Sequence, residues 1–171
     1  GASRMCVVGR GNGGMMCHGL AREASDFVTG IAVVAGSMNY TVSNASSPIA
    51  TMLVHGSKDD YVLIGGGIPA QGDKRRVDGS LASAADYYVT RNGLVDRPVT
   101  AVGAGVSVAR YTLGKFNAIR PPGGVVTLQG GGPAWPGQEA PSPLVRDRRR
   151  AAPQTPRVIF LGGCRPPDPP R

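Results

Sequence analysis

The sequence has little of what most catalytic or cofactor centres are built from. Two histidines, His18 and His55, and three cysteines, Cys6, Cys17 and Cys164, occur among 171 residues. No cysteines are spaced like a metal-binding pair, and no His, Cys and carboxylate cluster forms along the chain, so neither a metal nor another cofactor is expected. Cys6 falls in an apolar strand-like run and Cys17 in an apolar helical one, so both read as buried free thiols. Long apolar runs are missing too. No stretch approaches the roughly 20 residues that cross a bilayer, which argues against a membrane partner. Aromatic residues make up 5% of the chain and do not interleave with basic ones, so the stacking platform of a nucleic-acid site is absent. No signal peptide is visible and residue 1 is Gly, which reads as a processed or partial chain.

What is present suits a single domain with many turns. The hydrophobic fraction of 41% can build a core, and 26 glycines and 15 prolines break the chain often. The net charge of +8 is uneven. Residues 138–171 hold seven Arg against three acids, hence +4, together with eight of the prolines. Proline withholds backbone donors and charge resists burial, so this Arg/Pro-rich tail is expected to be disordered. Within it, only Val158, Ile159, Phe160 and Leu161 resemble a core segment.

Hydrophobic patterning divides residues 1–137 into strands and helices. Residues 4–8 read as a buried strand, followed by a glycine cluster and a helix over residues 15–24. Strands are expected at 31–35, 49–54, 106–112 and 125–128. Residues 57–79 read as a long polar loop. Ser80 can cap a helix with Leu81, Ala84, Ala85 and Tyr88 on its apolar face, and Asn92-Gly93 offers its exit. Strands alternating with helices imply an α/β sheet of parallel strands, covered on both faces.

The cluster Gly9-Arg10-Gly11-Asn12-Gly13-Gly14 supports two mechanisms. Gly9, Gly11 and Gly14 fit the G-x-G-x-x-G turn that lays a dinucleotide pyrophosphate on a helix N-terminus. That turn needs an acid about 20 residues on for the ribose, and the next strand ends in Ala35-Gly36-Ser37 without one. Gly9 and Gly13 also fit a G-x-S-x-G nucleophile elbow. There the backbone turns so sharply that side chains on either side of the nucleophile would collide. Gly11 then stands at the nucleophile position.

Later motifs favour the elbow. Asn12-Gly13-Gly14-Met15-Met16, His55-Gly56-Ser57-Lys58-Asp59, Arg91-Asn92-Gly93 and Gly130-Gly131-Gly132-Pro133-Ala134-Trp135-Pro136-Gly137 follow in order. Over residues 3–137 this resembles the polyhydroxybutyrate depolymerase and feruloyl esterase family of secreted α/β-hydrolases. The resemblance implies the C-terminal portion of that fold, a mostly parallel sheet with flanking helices, lacking the strands that precede the elbow. It places the triad acid at Asp59, the nucleophile at Gly11, the histidine at Pro133 and one oxyanion N–H at Asn12. Leu94 stands where the family has a cysteine. Trp135 would pack over the site or touch an acyl or aryl group.

Glycine supplies no nucleophile and proline no base, so the resemblance implies a degenerate esterase without triad turnover. Its implied partner is a small or polymeric ester, and its implied location is extracellular. A non-catalytic ligand-binding module and a nucleotide-binding domain remain the alternatives. Asp60 adjoins Asp59, but the motif register selects Asp59. His18 reads as a polar helix residue and His55 as a turn-fixing one. An uncovered strand edge before the elbow is expected to favour self-association.

Overall fold

The computed structural model describes residues 5–39, 44–95, 98–112 and 123–136. The 138–171 tail, and with it the expectation of disorder, lies outside these residues. The described chain forms an α/β fold. Its elements are β1 (Met5–Arg10), α1 (Asn12–Glu23), β2 (Val28–Val34), β3 (Ala50–Gly56), α2 (Leu81–Asn92), β4 (Val99–Gly103), β5 (Val106–Tyr111) and β6 (Gly123–Leu128). They build one six-stranded sheet in the order β1-β2-β3-β6-β5-β4. The pairs β1/β2, β2/β3 and β3/β6 are parallel, while β6/β5 and β5/β4 are antiparallel.

The sheet is therefore mixed rather than purely parallel. β4 had no expectation from sequence, because all five of its residues are exposed and no face of it is buried. It forms as the outer arm of a hairpin. Ala104 and Gly105 both have positive φ, 49° and 76°, the left-handed pair that matches a tight turn to the strands' twist. α1 begins at Asn12, three residues before the apolar periodicity starts, because the turn at Gly11 feeds straight into it.

Alternate residues along each strand face opposite sides of the sheet. Ile31, Val33, Ile49 and Leu53 join Cys17 and Ala21 of α1 and Ala84, Ala85 and Tyr88 of α2 in the main core. The two helices also touch across this face. His18 shares a 2.9 Å hydrogen bond with the Tyr88 hydroxyl, and the Arg22 guanidinium lies 4.6 Å from the Tyr87 ring centre. On the other face, Val34, Ala35 and Val54 form a smaller cluster with Met52, Val126, Leu128 and Trp135, and it holds no helical residue. Among the described residues the helices lie on one face only, and on the other Trp135 packs over the buried Val34, Ala35 and Val54. No described helix is long and apolar enough to cross a membrane.

Both ends of α2 follow the sequence signals. The Ser80 hydroxyl accepts from the Ser83 N–H at 3.0 Å, and Gly93 closes the helix in the left-handed region. Asn92, fully buried, couples that end to the sheet. Its Nδ2 donates to the Ile49 carbonyl at 2.7 Å and its Oδ1 accepts the Ile49 N–H at 3.0 Å.

Cys17 is free and buried, as expected. Cys6 is disulfide-bonded, which corrects its reading as a free thiol.

Asn92→Ala strands a buried N–H and a buried carbonyl at the entry to β3. A loss of about 2–4 kcal/mol in unfolding free energy is expected, seen as a lower urea midpoint at unchanged slope.

Candidate functional site

Parallel strands β1, β3 and β6 all end at one edge of the sheet, the edge where α/β folds place ligands. Each runs there into a loop that carries one of the motif positions.

The first is the turn after β1. A Cβ added to Gly9 would lie 2.2 Å from the Gly13 carbonyl oxygen, far inside contact distance. The strand and helix thus cross so closely that Gly9 tolerates no side chain. Between them Gly11 takes φ 54°, ψ −122°, outside the common regions for residues with a side chain. A Cβ on Gly11 would meet nothing within 4 Å and point into open space. The Gly11 N–H is held by the Val34 carbonyl at 2.9 Å. Asn12 is the first residue of α1, so its N–H is among those a helix leaves without an intrahelical acceptor. No acidic residue occupies this first turn.

The second position is Asp59, in the loop after β3. Its side chain is wholly buried. Oδ1 accepts the N–H groups of Tyr61 and Val62, both at 2.9 Å. Oδ2 has no hydrogen-bond partner. His55 lies beside it, with Nε2 3.6 Å from Oδ2 and 2.7 Å from the Val62 carbonyl. A carbonyl can only accept, so Nε2 carries the proton and donates it there. His55 therefore fixes the loop around Asp59, and its Nε2 cannot serve as a base.

The third position is Pro133, in the loop after β6. Two seams tie this loop to the others. Gly56 and Gly131 pass so closely that a Cβ on Gly56 would lie 2.2 Å from the Gly131 oxygen. Around that contact Ser57 N–H donates to Leu128, Lys58 N–H donates to Gly131, each at 2.9 Å, and the Gly130 N–H donates to the Ser57 hydroxyl at 2.8 Å. From the other side, the Arg10 guanidinium donates to the Pro133 carbonyl. Trp135 then packs on Val34, Ala35 and Val54 at the helix-free face. Its packing role is evident here. Sequence reasoning missed Arg10 and Ser57 as bridging residues, since a lone Arg or Ser carries no spacing signal.

The long 57–79 loop that borders the site is anchored by Asp78, whose side chain is buried. Its carboxylate accepts from Ser37 at 2.7 Å, Asn39 at 3.1 Å and Arg76 at 2.7 and 3.0 Å. Burial pushes this carboxyl up, but the donors from Arg76, Ser37 and Asn39 outweigh it and hold it below the usual range.

His18 lies in α1, inside the core rather than at this edge. This polar helix residue is fully buried. Burial pushes its imidazole down to about 4, with the nearby Gly36 carbonyl opposing and the charge of Arg22 adding to the fall. Nε2 nevertheless has no well-aligned hydrogen-bond partner. Among the described residues, no group of three His, Cys, Asp or Glu side chains is placed to hold a metal ion.

The edge therefore combines a sharp turn with room for a side chain at Gly11, a buried carboxylate with one idle oxygen, and a third loop reached from both. It holds no nucleophile at the turn and no base at Pro133.

The depressed His18 pKa sets a pH dependence. Below its ordinary value of 6.5 the unfolded chain takes up a proton that the folded chain resists. Its contribution is intact above about pH 6.5 and is lost as pH falls toward 4, a swing of about 3 kcal/mol. Thermal melts should show the unaltered chain losing more stability than His18→Gln between pH 7 and 5. Equal losses would contradict this.

No protein-family model matches the chain, and no curated protein matches it.

Proposed function

We propose that this chain is a degenerate α/β-hydrolase of the polyhydroxybutyrate depolymerase and feruloyl esterase type, retaining the frame of an ester-hydrolysing site without its chemistry. One observation carries the reading. Three motif positions, far apart in sequence, converge at the ends of parallel strands, in the order nucleophile, acid, histidine. Arg10 spans from the turn to Pro133, and the Gly56–Gly131 contact joins the Asp59 loop to the same segment.

In such a site histidine removes the nucleophile's proton, and the acid orients the histidine and stabilises its charged form. Asp59 has the acid's requirements: fixed by two backbone donors through Oδ1, with Oδ2 left for an imidazole N–H. Gly11 brings no hydroxyl and Pro133 no imidazole. Losing either alone costs on the order of a million-fold in comparable triads. The substrate of the frame is a carboxylic ester met outside the cell, as the resemblance implies. The dinucleotide alternative gains nothing, because the end of β2 supplies Val34, Ala35 and Gly36 and no acid for a ribose.

Restoring the missing groups tests the reading. A fluorophosphonate probe reacts with activated serines. It should leave the unaltered chain unlabelled and label the double variant Gly11→Ser/Pro133→His, more slowly when Asp59→Ala is added. A double variant that stays folded by circular dichroism yet unlabelled, or labelling indifferent to Asp59, would overturn it.

A further inference from the structure

Among the described strands β4 closes one edge of the sheet, and it lacks what ordinarily blunts an edge. Solvent-facing edges carry charges, prolines, bulges or a covering element. Val99–Gly103 reads Val-Thr-Ala-Val-Gly, with no charge and no proline, and all five of its residues are exposed. Its pairing with β5 runs without a bulge. Val102 is 76% exposed and Val99 69%, more than any other large apolar residue described.

The hairpin fixes which backbone groups of β4 face outward. Its turn at Ala104-Gly105 is closed by the pair Gly103–Val106, and the closing pair of such a two-residue turn exchanges hydrogen bonds. Bonded positions alternate along an antiparallel ladder, so Gly103, Ala101 and Val99 bond to β5. Thr100 and Val102 therefore direct their N–H and C=O groups to the open side.

We propose that β4 pairs with β4 of a second copy of this chain, antiparallel about a two-fold axis at Ala101, joining two six-stranded sheets into one. Thr100 then exchanges hydrogen bonds with Val102 of the second copy, and Val102 with Thr100 of the second copy. Among antiparallel registers this one alone engages both outward residues. Shifted one way, Thr100 meets its own counterpart and Val102 falls opposite Pro98, which has no N–H. Shifted the other way, Val102 meets its own counterpart and Thr100 falls opposite Ala104, whose φ of 49° belongs to the turn. A two-fold axis also closes the assembly at two copies.

Side chains and charge agree with this register. Val99 falls opposite Gly103 of the second copy, which leaves it room, and Ala101 falls opposite Ala101. The charged residue of the flanking β5 is Arg110, paired with Val99. The two copies of Arg110 stand about 20 Å apart across the junction, beyond the screening length of about 8 Å at physiological salt. The contact takes five residues a side, against about 20–30 in a stable interface. The dimer is therefore weak, and its population rises with concentration.

Sedimentation velocity of the full-length chain from micromolar to near-millimolar concentration should shift from the monomer coefficient toward that of a dimer. Ala101→Lys sets like charges directly opposite each other at the axis and should abolish the shift. Because Ala101 is exposed, this variant keeps its fold by circular dichroism. Ala101→Cys, treated with oxidised glutathione, should yield a dimer whose cross-link maps by mass spectrometry to position 101 in both copies. Non-hydrogen-bonded cross-strand positions approach to about 4.5 Å between Cα atoms, within disulfide reach. Val99→Cys should give no such link to itself, because its two copies lie about 13 Å apart along the strands. A chain that stays monomeric throughout, a shift that persists in folded Ala101→Lys, or equal self-linking of both cysteine variants would overturn the proposal. Persistence in Ala101→Lys would assign the association to another surface, such as the β1 edge. None of these outcomes depends on the esterase reading.

Discussion

Two backbone crossings without side chains hold the site edge together. At Gly9 and Gly13 a strand passes into a helix, and at Gly56 and Gly131 two strand-end loops touch. In each, a carbonyl oxygen occupies the place a Cβ would need. Neither approach survives even alanine without backbone movement. The first aims position 11 into open space. The second brings the Asp59 loop against the segment that holds Pro133 and Trp135. The hydrogen bonds of Ser57, Lys58 and Gly130 follow from that contact and reinforce it.

The frame and the chemistry separate cleanly in this chain. A buried carboxylate oxygen without a donor is costly, because desolvation is not repaid. Asp59 carries such an oxygen while every neighbouring constraint on it is kept: two backbone N–H groups on Oδ1, and His55 bracing Val62. Purely structural aspartates such as Asp78 are saturated with donors instead. On the proposed reading, the idle Oδ2 of Asp59 is the atom that the lost histidine would have met.

Much of this arrangement was legible in the sequence, for physical reasons that also explain the failures. The β1–turn–α1 unit could be read because a sharp strand-to-helix turn demands glycine; Gly9 meets that demand, whereas a Cβ on Gly13 would meet nothing within 4 Å. The α2 termini could be read because Ser80 and Gly93 have local capping chemistry. Asn92 was placed at the helix end, but its clamp on Ile49 is a contact across 43 residues that no local pattern encodes. β4 was missed because Val99 and Val102 are exposed, leaving no buried face to generate a period. His18 reads from sequence only as a polar helix residue, and the fold buries it against Tyr88. Cys6 was taken for a free thiol, since a disulfide partner cannot be deduced from three cysteines alone.

The central claim is that the frame persists without triad turnover. The most direct measurement is the hydrolysis rate of p-nitrophenyl butyrate by the purified unaltered chain beside Asp59→Ala, both corrected for buffer. The account predicts that neither exceeds the buffer rate. Clear turnover that Asp59→Ala abolishes would contradict it, and would mean that another nucleophile and base work with this carboxylate.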